Sequence, residues 1–240
     1  MTASLLEQRT IDDRTGRAVE RLRGATSGSA WGRLEWTWPT PSAAFSRRDS
    51  REPGFTEAMS TAIERGYHPF IRPVGGRYVA YDDQWLVLDL YARCDEPRSG
   101  TTARFRAMGD ILARGLRTLD VDARVGAVPG EYCPGDWSVN AGGRTKLIGT
   151  GQRLTSTGFL FTAVISVGDM SGSIDAMSAG YAALGFPFDP ATVGSVRVQA
   201  PGVRRFEVIR ALGDALADAL PLGDAGPGFD RQLTRTWDPR

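Results

Sequence analysis

The sequence predicts an α+β domain in which a mixed β-sheet is flanked by helices. Stretches typical of strands and of helices are interspersed along the chain, without the regular strand–helix–strand rhythm of a doubly wound sheet. The chain has 240 residues, 41% of them hydrophobic, which is enough for one substantial core. No repeat or linker interrupts residues 25–200, so we expect a single domain over residues 1–222. Residues 223–240 are rich in Gly, Pro and Asp, and this tail is predicted to be loosely held.

In the first half of the chain, elements follow from the spacing of apolar residues and from glycine and proline stops. Apolar residues at helical spacing predict helices, whereas period-two alternation or a short apolar run predicts strands. The predicted elements are a helix over 2–23 broken near Gly16, a strand over 34–38, a helix over 55–65 with Thr56 as N-cap, strands over 70–72 and 78–81 around Gly75-Gly76, and a buried strand over 85–92.

The second half follows the same criteria. Its predicted elements are a helix over 101–119, a strand over 121–128, a strand pair over 137–139 and 145–151 bent by Gly142-Gly143, a strand over 158–167, a helix over 174–184 and a helix over 203–220. The last helix has the clearest amphipathic pattern, because Phe206, Ile209, Leu212, Leu216 and Leu220 fall on one stripe.

The charge balance argues against nucleic acid and membranes as partners. With 29 basic and 28 acidic residues the net charge is +1, so no strong field attracts phosphates or anionic lipid. No apolar run reaches the ~18 residues that a membrane span requires. The N-terminal residues 1–23 also lack the apolar segment of a signal peptide, and a cytoplasmic location is therefore expected.

Cysteine and histidine are scarce. Cys94 and Cys133 do not make a disulfide framework, and together with the single His68 they do not make a zinc site, so no metal site is predicted. A histidine-based triad would depend on His68 alone. The general bases that remain are carboxylates, Lys146 and Cys133.

Lys146 is the only lysine among the 29 basic residues, and it shares the glycine-rich segment 130–153 with Cys133. Lysine is a compact point charge whose pKa shifts on burial, whereas arginine stays charged. An ammonium near Cys133 would favour the nucleophilic thiolate and could stabilise an oxyanion. An inert buried cysteine and a solvated surface amine are the alternatives. Cys94 is interpreted as structural because carboxylates follow it.

A second glycine pair, Gly75-Gly76, lies between Arg72 and Arg77. Adjacent glycines let the backbone approach a ligand closely, and flanking arginines add charged donors for a carboxylate or phosphate. The alternative is a plain hairpin turn with surface arginines.

The two segments together resemble the lipoate-protein ligase and octanoyltransferase family, which shares its fold with biotin-protein ligases. Arg72-Pro-Val-Gly-Gly-Arg-Tyr-Val-Ala-Tyr-Asp82 is similar to the first signature of that family, Arg-Arg-x-x-Gly-Gly-x-Ala-Val-x-x-Asp. Residues 138–153, Ser-Val-Asn-Ala-Gly-Gly-Arg-Thr-Lys-Leu-Ile-Gly-Thr-Gly-Gln-Arg, are similar to the second, which carries an invariant lysine. Residues 44–49 and 53–55 also sit where the family has its first strand turn and helix start, and the resemblance spans about residues 30–215.

The resemblance implies a pocket for an octanoyl or lipoyl chain. Lys146 is expected to contact the acyl carbonyl. The run Tyr132-Cys-Pro-Gly135 resembles the Ser-Tyr-Cys-Pro-Gly-type loop of the cysteine-dependent amidotransferase branch, which assigns the nucleophile role to Cys133. The substrate-binding positions implied by the two signatures are Arg72, Gly75, Gly76, Arg77, Asp82, Ser138, Asn140, Gly149 and Gln152.

The main hypothesis is transfer of an octanoyl or lipoyl group, through a Cys133 thioester and without a cofactor, to the lysine of a lipoyl-carrier domain. Such domains would be acyl donor, acceptor or both. The first alternative is a lipoate-protein ligase that uses ATP and Mg²⁺. Tyr81, where ligases have histidine, and Arg77, where many have a third glycine, disfavour it. The second alternative is a relative that binds acyl chains or carriers without turnover, because Thr157-Gly158 replaces the histidine of octanoyltransferases.

Overall fold

The computed structural model describes residues 11–25, 32–95, 97–220 and, for the backbone alone, 231–233. It confirms an α+β fold with a mixed sheet and flanking helices. In chain order the elements are β1 (Asp12–Asp13), α1 (Thr15–Ala25), β2 (Gly32–Thr37), β3 (Ser42–Phe45), α2 (Phe55–Glu64), β4 (His68–Ile71), β5 (Val79–Tyr81), β6 (Trp85–Arg93), α3 (Thr101–Arg117), β7 (Ala123–Val125), β8 (Val139–Ala141), β9 (Thr145–Leu154), β10 (Gly158–Ser166), α4 (Ser171–Leu184), α5 (Val196–Gln199), α6 (Arg205–Ala219) and β11 (Arg231–Leu233).

The larger sheet is antiparallel, with strand order β11-β2-β6-β10-β9-β8-β7. Its centre is the pair of long strands β6 and β10. Alternate residues of these strands point to opposite faces, as the pleat requires. One face carries a hydrophobic core that includes Leu88 and Phe161 and is covered by α3 and α6. The other face carries Asp89, Thr162 and Val164 and lines a cavity.

Helix α6 has the predicted stripe except at its start. Ile209, Leu212, Leu216 and Leu220 are buried, but Phe206 is 46% exposed, so its assignment to the stripe was wrong. Phe206 lies in the first turn of α6, where the guanidinium of Arg204 stacks on its ring at 4.2 Å. The aromatic ring is therefore covered by a cation and not by the core.

The smaller sheet is mixed, with order β1-β4-β3-β5. Strand β3 was missed in the sequence, and it lies between β4 and β5, parallel to the first and antiparallel to the second. The segment with Gly75-Gly76 is therefore a connection that passes around β3, and the hairpin interpretation was wrong. Because strands that are not neighbours cannot share a two-residue turn, this segment is available to pack against another part of the molecule.

Three boundary predictions need correction. Helix α1 begins only at Thr15, one residue before Gly16, because Asp12–Asp13 form the strand β1 that pairs with β4, so residues 12–13 were wrongly predicted as helix. Helix α2 begins at Phe55 after Gly54, and no side chain caps it, so Thr56 is not the N-cap. The strand predicted over 121–128 is limited to β7, because Gly126 adopts a φ of +149°.

Parts of the predicted termini lie outside the described residues, namely 2–10 of the N-terminal helix and most of the tail 223–240. Within that tail, β11 pairs with β2. Across the described ranges, no helix is long and apolar enough to cross a bilayer.

Candidate active site

Cys133 lies in the loop between β7 and β8 with a φ of +42°. Non-glycine residues adopt positive φ at a cost, so the surrounding structure must hold such a residue in place. Here the backbone N–H of Cys133 donates to the hydroxyl oxygen of Tyr181 at 2.6 Å. Tyr181, on α4, in turn donates to the carbonyl of Tyr78 at 3.0 Å. The cysteine is thus tied to both the helix and the smaller sheet.

The sulfur of Cys133 faces the segment after β4. It accepts a hydrogen bond from the backbone N–H of Arg77 at 3.0 Å, and the Nη2 atom of Arg72 lies 3.8 Å away. Gly76 makes this approach feasible, because a Cβ atom there would lie 2.7 Å from the sulfur and its φ is +107°. The Gly-Gly pair therefore brings a backbone donor to a thiol.

The side chain of Lys146, on β9, extends to the loop that carries Cys133. Its side chain is 1% exposed, and its Nζ donates to the carbonyls of Tyr132 and Cys133 at 2.9 Å each. The Glu131 carboxylate lies 3.6 Å from the same nitrogen. The solitary amine and the thiol-bearing residue therefore converge, as the sequence led us to expect.

The electrostatic environment favours a thiolate. Burial raises the pKa of Cys133, but Arg72, Lys146 and the N–H of Arg77 together lower it further, so the pKa lies below the ordinary thiol value. Burial lowers the pKa of Lys146, while the charges of Cys133 and Glu131 raise it, and the net direction is downward. Thiolate and ammonium thus support each other in a buried site.

A slot leads away from Cys133 between the two sheets. The space beside the sulfur is only about 20 Å³, enough for about one water molecule. Val74, Thr162 and Val164 line it and also line a half-open cavity of about 440 Å³, so the two spaces are neighbours that share one wall. Gly149 and Gly151 of β9 widen the slot opposite Val164 and Thr162, with which they pair.

The larger cavity is lined by apolar side chains, such as Phe70 and Val87, together with several polar groups. Asp89 accepts a hydrogen bond from the Thr162 hydroxyl at 2.5 Å, and burial, with a contribution from Glu35, raises the pKa of Asp89 to about 6. Arg14, Arg17 and Arg21 of α1 line the same cavity. These arginines are paired with carboxylates of Asp12 and Glu35.

The chain is similar in sequence to bacterial enzymes over about half of its length. No protein-family profile matches it. It is 27% identical over 106 residues, 44% of its length, to the octanoyl-[GcvH]:protein N-octanoyltransferase of Bacillus velezensis. It is 29% identical over 120 residues, 50% of its length, to the enzyme of the same name from Exiguobacterium sp.. The chain spans 37% and 42% of the lengths of these relatives.

Solved structures are similar over almost the whole domain. A T. acidophilum protein solved with bound lipoic acid matches 88% of this chain and 82% of its own, with a TM-score of 0.65 and 18% identity. Lipoate-protein ligase A bound with ATP matches 87% of this chain and 83% of its own, with a TM-score of 0.60 and 19% identity. The fold is that of a lipoate-protein ligase catalytic domain. The resemblance to the lipoate-protein ligase and octanoyltransferase family is confirmed by these matches and by the octanoyltransferase relatives.

Several signature residues of the lipoate ligase fold meet at Cys133. Arg72 and the backbone of Gly76 and Arg77 surround the sulfur, and Gly75 and Gly149 line the slot. The guanidinium of Arg77 points elsewhere, to Asp49 and Glu52.

Other predicted substrate-binding residues do not reach the sulfur or the slot. Asp82 accepts a hydrogen bond from the Tyr67 hydroxyl at 2.7 Å. The side-chain amide of Asn140 donates to the carbonyl of Gly126 and accepts from the backbone N–H of Gly143. Gln152 bonds to Arg104 and to the Thr101 carbonyl at the start of α3. Ser138 donates to Glu131 at 2.8 Å and so contacts the site only indirectly. For these four, the polar atoms named here are occupied by contacts that hold the fold.

Two site residues were not identified from the sequence. Tyr181 is far from Cys133 along the chain, and its position depends on how α4 packs. Glu131 lies two residues before Cys133, and the signal that could have identified it is the presence of glutamate where the resembled loop has serine. Its burial, with 1% exposure, depends on the folded loop and has no local sequence signal. No group of three or more His, Cys, Asp or Glu residues able to hold a metal occurs within the described ranges.

Proposed function

We propose that this protein moves an octanoyl or lipoyl group onto the lysine of a lipoyl-carrier domain through a thioester on Cys133. The observation that carries the proposal is the position of the Cys133 sulfur. It lies at one end of a slot between two sheets, beside Arg72 and the backbone N–H of Arg77. The names of the bacterial relatives, octanoyl-[GcvH]:protein N-octanoyltransferase, support the same chemistry.

In the first step the thiolate of Cys133 attacks the acyl carbonyl of the donor. A carbon–sulfur bond forms, and the bond from the carbonyl carbon to the sulfur or nitrogen of the donor breaks. That leaving group takes up a proton. In the second step the neutral amine of the acceptor lysine attacks the thioester, loses a proton and releases Cys133 as thiolate. The acyl group is transferred without net oxidation or reduction.

Two cations face the oxyanion that forms in each step. Lys146 acts through its charge, because its Nζ is held by the carbonyls of the Cys133 loop. The Nε atom of Arg72 is buried and has no hydrogen-bond partner among the described residues, which leaves a donor on the guanidinium closest to the sulfur. A fixed donor in a water-poor site stabilises developing charge more than a solvated donor does.

The acyl chain would lie in the slot, with its far end in the larger cavity. The carrier partner is a lipoyl domain, such as the GcvH named for the relatives or the E2 lipoyl domain named with an archaeal ligase. A nucleophilic thiol that must stay reduced suits the cytosol, where we place the reaction. No cofactor is needed for this route.

The test is to incubate the protein with an octanoylated carrier domain and to locate the adduct by mass spectrometry. We expect an octanoyl adduct on Cys133 and none on Cys94, together with loss of transfer in Cys133→Ser. No adduct with transfer surviving in Cys133→Ser would reject the covalent route. Lipoate-dependent release of pyrophosphate from ATP and Mg²⁺ would instead identify a ligase. Binding of carrier without any transfer would identify the non-catalytic alternative.

A further inference from the structure

The buried carboxylate of Glu131 lies beside the Lys146 ammonium and within the loop that carries Cys133, yet neither step above uses it. Its side chain is fully buried, and its Oε2 atom has no hydrogen-bond partner among the described residues, so the polar contacts of the carboxylate are made by Oε1. Its Oε1 atom accepts from the N–H of Gly135 at 3.0 Å and from the hydroxyl of Ser138 at 2.8 Å. The carboxylate therefore bridges the two ends of the turn that follows Cys133.

Lys146 holds the middle of the same loop. Its Nζ donates to the carbonyls of Tyr132 and Cys133, and the ring centroid of Tyr132 lies 4.4 Å away. The Glu131 carboxylate lies 3.6 Å from this ammonium, so two charged groups that contact each other both bind the backbone of the Cys133 loop. This double attachment supports the positive φ of Cys133, which the loop alone would not favour.

We propose that Glu131 is a positioning residue that fixes the Cys133 loop and keeps the Lys146 amine charged while Cys133 carries an acyl group. The argument concerns the change of charge during the reaction. In the free enzyme, the Lys146 ammonium has two anionic neighbours, the Cys133 thiolate and Glu131. A thioester is neutral, so acylation removes one of them. Glu131 is then the anion that remains beside a buried ammonium needed in the second step.

The other groups around Lys146 do not replace it. Arg72 is a cation and disfavours the ammonium. The segment that pairs with Lys146 through Val193 carries Asp189, but that carboxylate accepts from the N–H of Ala191 in an exposed turn. The serine of the resembled loop would be neutral, so the carboxylate is a feature of this chain.

Because Lys146 is the only lysine, its amine can be observed alone by NMR after labelling with [ε-¹³C]lysine. The probe is protein carbamidomethylated on Cys133, which makes the sulfur neutral as in the acyl-enzyme. We expect the titration midpoint of Lys146 to fall by on the order of one pH unit or more in Glu131→Gln. The matched control is Glu64→Gln at the end of α2. The Glu64 carboxylate is 70% exposed and has Arg65 at 4.0 Å as its ion-pair partner, so its loss should leave the Lys146 midpoint unchanged.

This inference rests on the proposed function only in assuming that Cys133 becomes acylated. The tests of the inference and of the proposed function can therefore fail independently. Absence of an octanoyl adduct on wild-type Cys133 would remove the proposed function and leave the titration intact. An unchanged Lys146 midpoint in Glu131→Gln would overturn the role of Glu131 even if the adduct forms. Should the amide variant not fold, Glu131→Ser is a second neutral variant with the same expected fall, and an unchanged midpoint there would have the same meaning.

In turnover, the wild type should lose transfer from octanoyl-Cys133 to the acceptor domain as pH rises through the Lys146 midpoint. In Glu131→Gln this basic limb should move to lower pH, because the amine loses its proton earlier. A purely structural residue would lower the rate equally at all pH values, and that result would contradict the proposal.

Discussion

At the scale of single residues, the site is organised around the sulfur of Cys133, whose pKa is lowered by neighbouring donors although burial alone would raise it. Two interactions come from the segment after β4: the guanidinium of Arg72 and the backbone N–H of Arg77. The N–H cannot be lost by substitution except to proline, whereas the guanidinium can be. Arg72 is therefore the residue by which the pKa of Cys133 can be changed without removing the nucleophile.

Replacing Arg72 by Gln should raise the pKa of Cys133. The wild-type thiol should titrate below the ordinary free value of about 8.5, because the cations stabilise its charged form. Loss of Arg72 removes the larger of the two cationic contributions, so the pH midpoint of alkylation by iodoacetamide moves upward. Alkylation of Cys133, measured by mass spectrometry across pH 5–10, checks this.

The control for that series is Arg210→Gln. Arg210 is exposed on α6, which covers the opposite face of the larger sheet, and its loss changes total charge without touching the thiol. The midpoint of Arg72→Gln should lie above that of Arg210→Gln, which should match the wild type. Coincident midpoints would mean that Arg72 does not set the reactivity of the sulfur.

At the scale of elements, β9 is the strand that shapes the slot. Its Gly149 and Gly151 face the cavity side, opposite Val164 and Thr162 of β10. A Cβ atom at Gly151 would lie 3.0 Å from a methyl group of Val74 and 3.3 Å from the carbonyl of Gly75. The glycines therefore leave space beside Val74 and Gly75 that a side chain on β9 would fill.

Gly151→Val should obstruct the slot and slow acylation of Cys133 by octanoyl donors by about tenfold or more, since overpacking of this kind costs about 1–3 kcal/mol. Acetyl donors, whose short chain does not extend past Gly151, should be affected much less. The ratio of octanoyl to acetyl loading rates is the measurement. Gly213→Ala in α6, where nothing lies within 4 Å of an added Cβ, is the control and should leave that ratio unchanged. An equal slowing of both donors would indicate general damage and contradict a chain-length effect.

The elements that the sequence predicted correctly are those with local patterns. The apolar run of β6 and the apolar stripe of α6 are patterns of side chains within one segment, so they can be recognised without knowledge of the tertiary structure. Strand β3 was missed because its four residues follow Pro41 and become a strand only by pairing with β4 and β5. The meeting of Cys133 with Lys146 was predictable from two rare residues in one segment. The contact of Cys133 with Tyr181 depends on tertiary packing and was not predictable.

At the scale of the whole molecule, the slot separates two bodies of structure that have their own cores. The larger sheet packs on α3 and α6, while the smaller sheet packs with α2 and α4. Between them Val74, Thr162 and Val164 line both the space at Cys133 and the larger cavity. An apolar chain attached to Cys133 would fill this space in the folded state alone, and so it would stabilise the folded protein.

The stability of the protein should therefore increase with the length of an alkyl chain attached to Cys133. Mixed disulfides with methyl, butyl and octyl methanethiosulfonates give a series that needs no donor or carrier. Each buried methylene contributes up to about 0.8 kcal/mol, so the free energy of unfolding by urea should rise from methyl to octyl. The increase should be absent in Gly151→Val, because the chain then has no path to the cavity. A flat series in the wild type would mean that the chain stays in solvent and that the space between the sheets is not an acyl site. A series that rises equally in both proteins would mean that the chain lies on a surface elsewhere. Only a rise that Gly151→Val abolishes places the hydrocarbon between the two sheets.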